Sequence, residues 1–366
     1  MKKYSVYQLK KALLPFAVMA FAGLVLYFIP LTVMPDGYNF STRVENLSYF
    51  LMAGAIAACM LMPIWSFRYK MNRRSADLYY SLPIKRLHLI IIHYLSGFAA
   101  IIAAYTAIFW LGFIVIAAKS ASDGLNFSLI NMLWLYLVSV VFIYAIYSLY
   151  SFAYTRANNV IDGIVFMIFA TFAVTVIALL LSTVIWSKQL VEYIYPDGEI
   201  TYRDSSVYYV STEYYMPFMP LSVLTEHFTC LTLNESSWYF DFSNDTTYRA
   251  IDNVNIIISI AVYLLLSAAC SAGLILLEKR NKSENCEQNS DSLFGYKVMI
   301  PLYEFTLCAC IVYGSEILIL LITIAAGYFV TAIWKRSLKI GWKAFIVLDV
   351  SVAVGILAGV LIACLH

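Results

Sequence analysis

Charge is what this 366-residue chain has least of: Asp, Glu, Lys and Arg make up 13% of it, against 62% hydrophobic residues and a mean hydropathy of +0.79. A soluble domain carries about 25% charge, so the composition excludes an ordinary water-soluble protein and indicates a polytopic membrane protein. Histidine is scarce too. His88, His93, His227 and His366 are too dispersed for a zinc or serine-hydrolase constellation, and no His-Glu-x-x-His occurs. The cysteines (Cys59, Cys230, Cys270, Cys286, Cys308, Cys310, Cys364) form no Cys-x-x-Cys pair, and this scatter argues against a disulfide framework. No Gly-x-x-x-x-Gly-Lys-Ser/Thr phosphate loop is present, so the chain does not cradle and hydrolyse ATP in that manner. A signal-peptide cleavage site is also missing: Lys2, Lys3, Lys10 and Lys11 precede an apolar run from about Ala12 to Val33, too long for a signal h-region, which reads as a first span.

What the chain does have is a succession of apolar runs long enough for ~30 Å of hydrocarbon. In order they are Leu13–Val33, Tyr49–Phe67, Leu87–Ala118, Ile130–Ala153, Ile161–Trp186, Val254–Leu277, Val298–Tyr313, Ile317–Trp334 and Ala344–Leu365. The expected fold is therefore all-α, a polytopic membrane protein of about nine transmembrane helices. With the N-terminus in the cytoplasm, nineteen of the 24 basic residues fall on that face, and only Arg43, Lys119, Lys188, Arg203 and Arg249 on the other. Short basic loops stay in the cytoplasm, and nine spans then leave the C-terminus on the outer side.

The expected organisation follows. Residues 1–12 are a cytoplasmic interfacial segment, 13–277 a six-span domain, 278–297 a polar, flexible cytoplasmic linker and 298–366 a three-span C-terminal part. Between spans five and six, 187–253 forms a small outer-face domain. It is acidic and rich in tyrosine, with a turn signal at Tyr195-Pro-Asp-Gly and a hairpin expected around the alternating run Gly198–Val210. Met216–Leu233 is apolar enough to dip into the outer leaflet as a partial helix.

The densest basic segment is Arg68–His93, between spans two and three. Ser75 is a helix-capping residue type, and Asp77 then falls in a favourable first turn. Leu78 and Leu82 are four apart and share a face. Pro83 stops the helix, because the residue before a proline is pushed out of the helical region, and it suits the first position of the next helix. The expectation is a two-turn helix across the membrane face with Leu78, Tyr79 and Leu82 exposed, built to touch a partner or to anchor in the headgroups. Intramembrane charge is the other place for function. Asp162, beside Arg156 and Asn158, suits a helix N-terminus; Glu316 lies in a turn; Glu304 and Asp349 lie several residues inside their spans.

The loop Arg73-Arg74-Ser-Ala-Asp77-Leu-Tyr79-Tyr-Ser81-Leu82-Pro83-Ile-Lys85-Arg86 resembles a segment of ABC-2 type ABC transporter permeases of Gram-positive bacteria. Ser81, Leu82, Pro83 and Arg86 match the Ser-Leu-Pro-x-x-Arg element that follows the second span in that family. Lys279-Arg280-Asn281-Lys282-Ser283-Glu284 is similar to the basic-Ser-Glu stretch after the sixth span, though Asn285-Cys286 stands where a small-residue pair is usual. The resemblance covers about 1–285. It implies the permease subunit of an ATP-driven exporter in the bacterial plasma membrane. The 68–86 loop is then a coupling helix (Arg74, Asp77, Leu78, Tyr79, Ser81, Leu82, Pro83, Arg86) seated in a groove of a separate ATP-binding subunit. It further implies a second permease subunit, no cofactor on this chain since the partner binds ATP, no catalytic activity of its own, and no nucleic-acid partner. Two other readings stay open: a receptor or immunity-type protein sensing through its outer domain, and an ion-coupled secondary transporter using Glu304 or Asp349.

Overall fold

An apolar run in a bilayer becomes helical because each backbone N–H and C=O then finds its partner within the same segment. The computed structural model describes residues 2–33, 40–120, 129–171, 173, 191–194, 200–203, 238–241, 246–249, 253–278, 286–288, 290, 295–313, 317–335, 337 and 341–365. Its helices are α1 (Lys2–Val33), α2 (Phe40–Phe67), α3 (Arg73–Tyr80), α4 (Arg86–Ser120), α5 (Leu129–Thr155), α6 (Val160–Thr171), α7 (Asn253–Glu278), α8 (Tyr296–Tyr313), α9 (Ile317–Lys335) and α10 (Trp342–Leu365). Among the described residues seven helices are long and apolar enough to cross a membrane: α1, α2, α4, α5, α7, α9 and α10. The expected count was nine. The remaining two positions are occupied by α6, a shorter apolar helix over its described length, and by α8, whose 18 residues include Pro301.

The described chain divides into two compact units. The first comprises Met1–Thr155 and Met219–Cys286. Within it α1 lies along α2 and α4, α2 also meets α5, and α7 packs on α5 and α4. Small and hydroxylated residues let these backbones approach, and polar side chains then stitch them. Tyr94 of α4 bonds Ser148 of α5 at 2.7 Å, and the Tyr147 hydroxyl donates to the Tyr94 carbonyl at 2.9 Å. A Cβ added at Gly97 would collide with that Tyr147 hydroxyl and lie 2.8 Å from Ser66 Oγ. Phe142 meets Tyr263 edge-on, ring centroids 4.7 Å apart, joining α5 to α7. A short antiparallel hairpin, β3 (Trp238–Asp241) with β4 (Thr246–Arg249), belongs to the same unit.

The second unit comprises Arg156–Phe218 and Glu287–His366. The sequence places the fifth span with the first four, yet α6 clusters with α8, α9 and α10. The Asp162 carboxylate explains the grouping: it accepts from the Tyr296 hydroxyl (3.0 Å), the Ser290 amide (3.1 Å) and the Asn159 side chain (3.0 Å). Asn159 caps α6 by accepting from the Asp162 amide at 2.7 Å, so the expected N-terminal placement of Asp162 holds. The expected flexibility of 278–297 does not extend to Ser290, which is buried and whose hydroxyl accepts from the Asn158 amide at 2.8 Å. On α10, Gly355 and Gly359 abut α8: a Cβ at either would lie 2.6 Å from the Phe305 carbonyl oxygen or 2.7 Å from that of Ala309.

The hairpin β1 (Val191–Ile194) with β2 (Ile200–Arg203), Glu192 opposite Tyr202, brackets the Tyr195-Pro-Asp-Gly turn signal. Its first strand precedes the Gly198–Val210 run in which the sequence suggested pairing. The rest of the 187–253 insertion, with Met216–Leu233, and the Lys279–Glu284 stretch lie outside the described residues. No interfacial break separates 1–12 from the first span: α1 is one helix from Lys2, and 32 residues at 1.5 Å give roughly 48 Å. It therefore outruns ~30 Å of hydrocarbon.

Candidate functional site

The segment between α2 and α4 is built from its ends inward. After Phe67 the chain tightens into a 3₁₀ turn, Arg68–Lys70, closed by the Met71 amide donating to the Arg68 carbonyl at 3.1 Å. That turn shifts the helix start. Asn72, extended at φ −120° and ψ 124°, caps α3 by accepting from the amides of Arg74 (3.0 Å) and Ser75 (3.4 Å). Ser75 is thus inside the helix rather than its cap, and Asp77 falls in the second turn. At the other end Ser81 closes α3: its amide donates to the Asp77 carbonyl (3.0 Å) and its hydroxyl to that of Leu78 (2.8 Å). Pro83 does not open the next helix. It sits in a tight three-residue turn in which the Ile84 amide reaches the Leu82 carbonyl at 2.7 Å, and α4 begins at Arg86 after Lys85.

The helix is two-faced. Ala76 is fully buried on the inner face, and Tyr79 leans inward too, its ring 4.7 Å from that of Tyr69 and 5.8 Å edge-on from His93. The Lys11 ammonium donates to the Tyr79 hydroxyl at 3.4 Å. Tyr79 was expected at the exposed tip; aromatic packing holds it below. Leu82 is half-buried, while Arg74, Asp77, Leu78, Ser81, Pro83 and Arg86 are exposed, Leu78 at 66%. The Arg86 guanidinium lies 4.4 Å from the centre of the Tyr80 ring, a cation–π contact that ties the helix exit to its last turn. Burial first, then the Glu278 charge, pushes the Tyr80 phenol well above its ordinary range, with Arg86 opposing.

Sequence reasoning missed the anchor beneath this loop. Lys70 Nζ pairs with Glu278 Oε2, the last residue of α7, at 2.5 Å, with both side chains buried. Cys286 Sγ donates to the Lys70 carbonyl at 3.1 Å. The loop is thereby tied to the C-terminal end of α7 and to Cys286 rather than hanging from α2 and α4 alone. Behind α3 a cavity of about 420 Å³ opens among α1, α2, α3 and α4.

The intramembrane carboxylates separate in character. Tyr328 donates to Asp349 Oδ1, so Asp349 has the tyrosine partner expected of a structural acid. Glu304 is 4% exposed, its Oε2 is buried without a hydrogen-bond partner, and its carboxyl fills the space left by the missing side chain of Gly327. Among the described residues no group of three His, Cys, Asp or Glu could hold a metal ion. The arrangement around α3 provides a rigid, capped surface helix with one large apolar side chain turned outward. No family model, curated protein or solved structure matches the chain.

Proposed function

We propose that the chain is the membrane-embedded permease subunit of an ATP-driven exporter. Its spans line the substrate pathway, two such subunits assemble side by side, and α3, on the cytoplasmic face, seats in a groove of a separate ATP-binding subunit. The observation that carries this reading is Leu78: it is 66% exposed at the crest of a helix whose cap, exit and inner face are all fixed. A large apolar side chain ringed by charge (here Arg74 and Asp77) is the anatomy of an interface anchor with a polar rim. Fixing the helix in advance lowers the ordering cost of docking. Leu78→Asp places a charge where a partner pocket would have to desolvate it. We expect loss of association with the ATP-binding subunit while membrane insertion is kept; co-purification that survives the change would count against docking through α3.

A second reading draws on Glu304. A buried carboxyl oxygen without a partner is a site at which a proton or cation could be carried, as an ion-coupled transporter requires. Transport that persists unchanged in a Glu304→Gln, Asp349→Asn double substitution removes its basis.

A further inference from the structure

We infer that the cavity behind α3 is a binding site for a phosphate-bearing anion, the headgroup of an anionic phospholipid being the source its surroundings favour. Two cations line it, Lys11 of α1 and Arg68 of the 3₁₀ turn, and no carboxylate does. The ion pair that neutralises the neighbouring Lys70 has no counterpart here: among the described residues neither Lys11 nor Arg68 is within salt-bridge distance of an acid. Hydroxyl and amide groups share the wall, including Ser66, Ser75 and Gln8. Tyr69 lines the cavity as well, and its hydroxyl is an orphan. The Tyr69 hydroxyl is buried, the residue being 6% exposed, and has no hydrogen-bond partner, whereas its ring is held firmly against His93 at 4.5 Å and Tyr79 at 4.7 Å. A buried donor in a native structure calls for an acceptor, and an anion with several oxygens would supply it while neutralising both cations.

The surroundings choose the source. The lining includes apolar residues, Ala12 and Met62, and the half-exposed indole of Trp65, a side chain suited to the headgroup level of a bilayer. All three belong to helices long enough to cross a membrane, near the ends that meet α3. Basic pockets between spans at this level suit anionic headgroups, and the volume is within the range of small-molecule sites. The inference needs only that the chain is membrane-embedded. It stands or falls separately from docking of an ATP-binding subunit, although an occupant would brace Asn72, Ser75 and Tyr79 on the inner side of α3.

The test is native mass spectrometry of the purified, delipidated full chain in neutral detergent, titrated with phosphatidylglycerol or with phosphatidylcholine. We expect one saturable phosphatidylglycerol adduct per chain and much weaker phosphatidylcholine binding. A Lys11→Gln, Arg68→Gln double variant should bind phosphatidylglycerol about tenfold or more weakly, because both charge-assisted contacts go. Tyr69→Phe, nearly isosteric and so safe for folding, should weaken it severalfold, and Arg74→Gln on the opposite face of α3 should leave it unchanged. Competition by millimolar glycerol phosphate assigns the site to a soluble phosphate ester, and its failure to compete assigns it to the lipid. Equal phosphatidylglycerol binding by the wild type, the double variant and Tyr69→Phe overturns the inference, as does indifference to headgroup charge.

Discussion

Taking a lysine and a glutamate out of water costs several kcal/mol per ion, which close pairing must offset. Lys70 and Glu278, in contact at 2.5 Å with both side chains buried, meet that condition. Removing one partner strands the other, so Glu278→Gln is expected to destabilise the protein by about 3–5 kcal/mol. A Lys70→Met, Glu278→Leu double substitution should recover most of the loss. Thermal unfolding in detergent checks both, and a double variant as unstable as the single one would show that the pair is not what holds this corner. The pair was invisible in the sequence because its members are 208 positions apart. Lys70 passed for one more basic loop residue and Glu278 for the start of a polar linker. Arg86 was legible as an exposed basic residue at the loop exit, but its place over the Tyr80 ring depends on where α3 ends. Lys keeps the charge without the planar face that stacks on an aromatic ring. Arg86→Lys should therefore loosen the α3 exit by about 0.5–1 kcal/mol, seen as faster amide exchange at Tyr80 and Ser81.

At the scale of the element, α3 is short enough that its ends decide whether it forms. Eight residues are too few to be helical alone in water, so the Asn72 cap, the Ser81 closure and burial of Ala76 and Tyr79 have to act together. Asn72→Ala should cost about 1 kcal/mol and Asn72→Ser much less, measured as amide-exchange protection across 73–80. Ser75→Ala should leave that protection nearly unchanged, the reverse of what the sequence suggested. Existence of the helix was legible from Leu78, Leu82 and the proline stop. Its first residue was not, since Asn72 and Ser75 are both capping types and only the 3₁₀ turn at Arg68–Lys70 decides between them. The same limit applies to α10: Gly355 and Gly359 are four apart and share a face, and only the fold shows that this face abuts α8. Gly355→Leu should overpack that contact by about 1–3 kcal/mol, lowering the unfolding midpoint.

For the whole molecule, hydropathy was enough to place seven of the nine expected spans among the described residues, because the bilayer imposes one length on every crossing segment. Several helix ends agree with it, such as α2 ending at Phe67 and α9 at Lys335, but α1 and α2 begin at Lys2 and Phe40, well ahead of the expected Leu13 and Tyr49. Hydropathy carries no information on which helices pack together, and the Asp162 carboxylate joins α6 to Ser290 and Tyr296 through two hydrogen bonds that apolar periodicity does not reveal. Short basic loops stay in the cytoplasm, and the expected orientation rests on them. Cysteine labelling should accordingly find Cys230 reactive from outside the cell and Cys286 only after permeabilisation, and the opposite pattern would invert the topology. The central claim is that α3 couples this chain to an ATP-binding subunit. Affinity capture of the tagged full chain from membranes of its host, with mass-spectrometric identification of what is retained, tests it most directly. The account predicts that the wild type retains a protein bearing a Gly-x-x-x-x-Gly-Lys-Ser/Thr phosphate loop and that Leu78→Asp, inserted normally, loses it. Absence of any such protein from the wild-type capture, or its undiminished retention by Leu78→Asp, would contradict the account.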